Sequence, residues 1–285
     1  MRPSQVFKTI TIILALAGGL AGAPITIADT GNPNNQIAVA SRPNSGGGTF
    51  EIESADDFIV SGGGAMITGG TFTGLLSGSL AVPTVQNVDI EIYRVFPLDS
   101  NTVRTPNVTT RANSPSDVAF LTRDASLLDF AFSTTTLSAS FTANNSVQPG
   151  GIHAFPNQTT GGNGPVTGIE TKVTFNLVTP FFLPDGHYFF VPQVQLSGGN
   201  FYWLSAERPI TTGLNFAPDL QAWTRDGFLD PDWSRVGTDI VGGNPAPTFN
   251  MAFSLVGTAV PEPSTVSFCL LALGAFGWRM RSLRK

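Results

Sequence analysis

The chain has 285 residues, of which 12% are charged and 41% hydrophobic, with 31 Gly, 21 Pro, one Cys and two His. The Gly and Pro content argues against long soluble helices, and apolar residues spread along the whole chain argue against intrinsic disorder. One Cys excludes an intrachain disulfide or a multi-cysteine zinc site, and a net charge of −5 argues against nucleic acid as a partner, because phosphate neutralisation needs Lys and Arg.

The N-terminus places Arg2 and Lys8 ahead of an apolar run, residues 10–23, that ends in small residues. A basic start, a short apolar stretch and small residues after it describe a secretory signal peptide. Pro24 hinders a cut after Ala23, so the expected cleavage follows Ala28, giving a signal peptide over residues 1–28. An uncleaved anchor is the alternative.

The exported part, residues 29–259, reads as one domain. Up to Glu262 it carries all 20 acidic residues and nine basic ones, a net charge of −11. Residues 30–49 read as a loose lead-in. Three segments alternate clearly. Val88, Ile90 and Ile92 alternate with Asp89, Glu91 and Tyr93. The odd residues from Ile169 to Leu177 alternate with Glu170, Lys172, Thr174 and Asn176. Phe249, Met251, Phe253 and Leu255 alternate with Asn250, Ala252 and Ser254. A period of two buries one residue set and wets the other. Shorter strands are expected at 57–60, 65–72, 128–133, 137–142, 188–196 and 201–205. Glycine- and asparagine-rich turns separate them, and residues 99–118, 143–168 and 215–247 read as long loops. Nine or ten short strands with no helical period give an all-β fold, a single β-sandwich of jelly-roll type, with a barrel as the alternative.

Chemistry is sparse in this domain. Gly62 to Gly70 lacks the GxGxxG spacing and the Lys-Ser/Thr ending of a phosphate cradle, and reads as a glycine hairpin. His153 and His187 have no GxSxG partner, so no serine hydrolase is expected. Glu51, Glu53, Asp56, Asp57, Asp89, Glu91, Glu170 and Glu207 are carboxylates that a glycosidase could pair, but no spacing pairs them. No enzyme is therefore expected. Within WTRDGFLDPDW, Asp226, Asp230 and Asp232 are candidate calcium ligands, although their spacing is not that of an EF-hand. Trp223 and Trp233 are candidate platforms for sugar rings. Tyr202 and Trp203 are candidates for the same role, with Trp203 reading more readily as core. The sequons at Asn107, Asn144 and Asn157 carry little weight.

The C-terminus has three parts in order: Val260-Pro261-Glu262-Pro263-Ser264, an apolar run over residues 265–278, and a basic tail over 279–285. Fourteen helical residues span about 21 Å, less than a hydrocarbon core of about 30 Å. Trp278 at the interface, with Arg279, Arg281, Arg284 and Lys285 snorkelling to the cytoplasmic side, makes a membrane stop of this length workable. The prolines keep the segment before it extended.

Residues 260–285 resemble the PEP-CTERM sorting signal of surface proteins from bacteria of the Gram-negative type, with Pro261, Glu262 and Pro263 as the name motif. The resemblance implies recognition by an exosortase at the membrane. It also implies export to the cell surface or an exopolysaccharide matrix. The expected product is a surface or matrix protein with a structural or carbohydrate-binding β-sandwich. A stably anchored surface protein and a secreted glycan-active enzyme are the rivals.

Overall fold

A computed structural model describes residues 24–44, 50–78, 82–103, 111–148, 159–207 and 219–260. In chain order the first strands are β1 (Pro24–Asp29), β2 (Pro33–Ala40), β3 (Ile52–Val60), β4 (Ala65–Ser77), β5 (Val85–Arg94) and β6 (Leu121–Asp124). A 3₁₀ turn, Ala125–Leu127, leads to β7 (Phe130–Ala143), β8 (Asn145–Val147), β9 (Val166–Leu183), β10 (Gly186–Leu196) and β11 (Asn200–Ala206). The last strands are β12 (Trp223–Asp226), β13 (Ser234–Arg235), β14 (Asn250–Met251) and β15 (Phe253–Ala259), with a π-helical turn at Val236–Val241.

The strands form a nine-stranded and a six-stranded sheet. In the first, β4 is central. One of its edges pairs with β15 along Ala65–Phe72 and with β11 along Gly74–Ser77. The other edge pairs with β9, which in turn pairs with β7. The second sheet runs β13-β12-β3-β10-β5-β6.

The two sheets pack face to face through aromatic rings. Phe190 on β10 stacks on Phe253 at 5.2 Å and on Phe175 at 6.1 Å, and meets Trp203 edge-on at 5.9 Å. Its neighbour across the core, Phe72, lies 6.2 Å away. One ring of the second sheet therefore touches four strands of the first. Glycines in β4 make room for these rings: a side chain at Gly70 or Gly74 would collide with Phe175 or Phe201. This explains the run TGGTFTG inside a strand, where glycine ordinarily weakens pairing.

Two of the three alternating segments fold as expected, with Val88, Ile90, Ile92, Val173 and Phe175 buried; the third divides into β14 and β15, and Asn250 and Ala252 are buried along with Met251, Phe253 and Leu255. Other expectations need correction. Residues 30–49 are not a loose lead-in, since β2 buries Ile37, Ala38, Val39 and Ala40 completely. Segments 128–133 and 137–142 belong to one strand, β7, and Leu128 is the left-handed residue that ends the 3₁₀ turn. The glycine turn at 61–64 is not a hairpin, because it joins strands of different sheets. Asp185 fixes it by accepting hydrogen bonds from the Gly63 and Gly64 N–H groups at 3.0 and 2.7 Å. The N-terminal boundary also shifts in meaning. β1 begins at Pro24 and pairs with β15 from Pro24↔Thr258 to Asp29↔Ser254, so a cut after Ala28 would remove nearly all of that strand. Residues 1–23 lie outside the described residues.

Candidate functional site

On the outer face of the second sheet, alternation turns Glu91 and Tyr93 of β5 and Glu53 of β3 away from the core. The register of β12 on β3 sets Arg225 directly opposite Glu53. These side chains, with Glu51, Asp226, Gly227 and Asp230, line a cleft of about 260 Å³. Residues 220–236 cover the adjoining face, where Leu220, Trp223 and Trp233 pack with Ala55, Tyr93 and Phe189.

Arg225 organises the floor. Its guanidinium donates from Nε and Nη2 to both Glu53 oxygens, the second at 3.0 Å. It also donates to the Tyr93 hydroxyl at 2.8 Å and to the Asp117 carbonyl at 3.1 Å. Asp230, 60% exposed at its side chain, pairs with Nη1 at 3.2 Å. The guanidinium carbon lies 4.4 Å from the Trp233 ring centre and 5.2 Å from that of Tyr93. Burial works against this charge, but Glu53 and the other acceptors outweigh it and hold Arg225 above its usual range.

The Tyr93 hydroxyl lies 2.6 Å from Glu53 Oε1 and 2.9 Å from Glu91 Oε2. Its single proton serves one of the two carboxyl groups at a time. Thr122 donates to Glu91 at 3.0 Å. Burial, then the Glu53 charge, pushes Glu91 up to about 8, so at neutral pH it holds a proton. Burial and Glu53 also raise Glu51, which accepts from Gln193 at 3.1 Å. Burial and Asp124 push the nearby Asp89 up to about 7. The cleft therefore combines a protonated acid, a neutralised ion pair and outer carboxylates.

Two exposed rings, Phe50 and Phe228, are the chain neighbours of the cleft residues Glu51 and Gly227. They meet edge-to-face at 6.1 Å, and Phe228 is 78% exposed. Arg42 lies 5.5 Å over Phe50.

The expected sugar platforms are corrected. Trp223 and Trp233 are 2% and 1% exposed and present no face to a ligand. Trp233 instead supports Arg225 from below, packs edge-on against Tyr93 at 5.3 Å, and donates to the Ser116 carbonyl at 3.1 Å. Trp203 is core, and Tyr202 is also buried.

The three aspartates do not converge as a calcium loop. Asp226 accepts from the Phe228 and Leu229 N–H groups at 2.9 and 3.2 Å. Asp230 turns to Arg225, and Asp232 pairs with Arg111 at 3.1 Å. Among the described residues, no group of three His, Cys, Asp or Glu side chains converges as a metal site.

Of the candidate carboxylates, the fold gathers Glu51, Glu53 and Glu91. It sends Asp56 and Asp57 to a buried cluster, where His187 meets Asp57 at 2.6 Å. Sequence reasoning missed Tyr93, Arg225, Phe50 and Phe228.

His153, Asn107 and Asn157 lie outside the described residues. So do Pro261, Glu262, Pro263, Trp278, Arg279, Arg281, Arg284 and Lys285. Among the described residues no helix is long and apolar enough to cross a membrane. Residues 259–285 match the family model of the PEP-CTERM protein-sorting motif. No curated protein and no solved structure matches the chain.

Proposed function

We propose that this exosortase-sorted cell-surface protein uses its β-sandwich to hold a polysaccharide of the surrounding matrix. The sorting motif at residues 259–285 is that of a chain exported and delivered to the cell surface. In this reading residues 265–278 halt the chain in the membrane, the basic tail at 279–285 stays cytoplasmic, and an exosortase acts at Pro261-Glu262-Pro263. The chemistry of processing belongs to that partner.

The observation that carries the binding role is the exposed Phe50–Phe228 pair, whose chain neighbours Glu51 and Gly227 line a carboxylate-rich cleft. Sugar rings present apolar C–H faces and hydroxyl edges. Aromatic rings accept the faces, while carboxylates accept hydrogen bonds from the hydroxyls. Protonated Glu91 adds a donor. Binding is proposed rather than hydrolysis. Glu53, the carboxylate nearest to Glu91, is held by Arg225 and Tyr93, which makes it a poor nucleophile or base.

The test is a panel of acidic, neutral and amino polysaccharides offered to the full-length chain in mild detergent. At least one is expected to bind, with Phe228→Ala and Glu51→Gln each weakening it about tenfold, a loss of about 1.4 kcal/mol. Silence across the panel from a folded chain contradicts the reading, and release of reducing ends replaces it with an enzyme.

A further inference from the structure

We infer that the open edge of β7 pairs with the same edge of a second copy, joining the nine-stranded sheets of two molecules into one. Beyond its pairing with β9, no described strand pairs with β7. Along most of its length it is exposed on both faces. Its sequence, FAFSTTTLSASFTA, holds no charge and no proline.

Proteins ordinarily blunt such edges with charges, proline, bulges or brevity. The other edges of this fold follow that rule. β6 is four residues long and carries Arg123 and Asp124, β8 has three residues, and β13 has two and includes Arg235. β1 starts at Pro24, ends at Asp29 and is interrupted between Thr26 and Ala28. β7 has irregularities too, but only after Thr136. From Phe130↔Leu177 to Thr136↔Thr171 its register on β9 is unbroken. That leaves seven neutral residues, three of them threonines, on an edge with no strand partner among the described residues.

The outward backbone groups can be assigned. Val178 donates its N–H to the Asp129 carbonyl at 3.0 Å, which makes Asp129 and Val178 a hydrogen-bonded pair. Such pairs alternate along antiparallel strands. Ala131, Ser133 and Thr135 therefore face β9, while Phe132, Thr134 and Thr136 direct N–H and C=O to the open side.

A second copy fits this edge because its symmetry mate is equally uncharged, so pairing the two opposes no like charges. Residues 29–262 carry a net charge of −11, with 20 acidic residues against nine basic ones, so copies repel over most of their surface. β7 is the long neutral stretch where two copies meet without like charges opposed. An antiparallel pair is isologous and closes on itself. Centred on Thr134, it exchanges both hydrogen bonds between the two Thr134 residues and sets Phe132 against Thr136 of the other copy.

Cysteine cross-linking tests this register. Cys269 is the single cysteine of the chain, so Cys269→Ser gives a cysteine-free full-length background. In it, Thr134→Cys is expected to form a disulfide-linked dimer under mild oxidation at the cell surface or in detergent. Hydrogen-bonded pairs hold Cα atoms about 5.5 Å apart, within the range a disulfide spans. Ala131→Cys, exposed but far from its symmetry mate in this register, is expected to cross-link about tenfold less. Adding Thr136→Lys to Thr134→Cys is expected to suppress the cross-link, by placing a charge on the shared edge. Equal cross-linking at positions 131 and 134, or none at 134 in a folded chain, overturns the inference.

Discussion

Replacing Arg225 by alanine is expected to destabilise the fold by about 3–5 kcal/mol, read from denaturant unfolding of the purified chain. The size follows from what remains. Glu53 is 5% exposed and loses a two-pronged partner, so an uncompensated carboxylate stays buried. The carbonyl of Asp117 and the hydroxyl of Tyr93 each lose a donor. Trp233 loses the cation above its ring, and a void opens between β12 and β5. Glu53→Gln combined with Arg225→Met is expected to cost clearly less than Arg225→Ala alone. It removes both charges together and refills the volume. Equal losses for the single and double variants would mean that packing, not charge, holds this face.

Stability is expected to fall as pH rises from 5 to 9. Glu91 keeps its proton to about 8 and Asp89 to about 7, both because of burial first and a neighbouring carboxylate second. Asp56, fully buried, is also held well above the carboxylate range by burial and by Asp57. In the unfolded chain all three release protons near pH 4. Between pH 4 and 8 the folded state therefore binds more protons than the unfolded state. The linkage slope is then negative: the stabilisation is complete below the ordinary carboxylate range and is lost as pH climbs through the raised values. Glu91 and Asp89 are partly exposed, and solvent screening reduces their joint effect to about 2–4 kcal/mol. That corresponds to a drop in Tm of about 5–10 °C by thermal unfolding. Glu91→Gln is expected to flatten part of the slope, which separates it from general acidic repulsion. A Tm that stays level or rises over this range contradicts the assignment.

Much of the sheet interior was legible because period two is a local signal. β5 shows it most simply, with Ile90 and Ile92 inward and Glu91 and Tyr93 outward. β2 was not legible, because its outer end, Pro33 to Gln36, is polar and its buried end is only four small or medium residues. β7 was split because Ser and Thr at its exposed centre resemble a turn, whereas β9 alongside supplies the pairing. The cleft was illegible for a different reason. Glu53 and Arg225 stand 172 residues apart, and only strand register brings them together. The tryptophans misled because a large aromatic ring suits a core and a platform equally, and burial decides between them. Phe228 gave no signal among 22 phenylalanines. Its exposure follows from the turn that Asp226 closes through the Phe228 and Leu229 N–H groups.

Delivery and retention are separable in this account, the tail serving the first and the cleft the second. The most direct measurement compares full-length chains on living cells, scoring protein bound to the matrix against protein shed to the medium. Phe50→Ala with Phe228→Ala is expected to reach the surface in normal amount and then appear mainly in the medium. Retention equal to that of the unaltered chain would contradict the account.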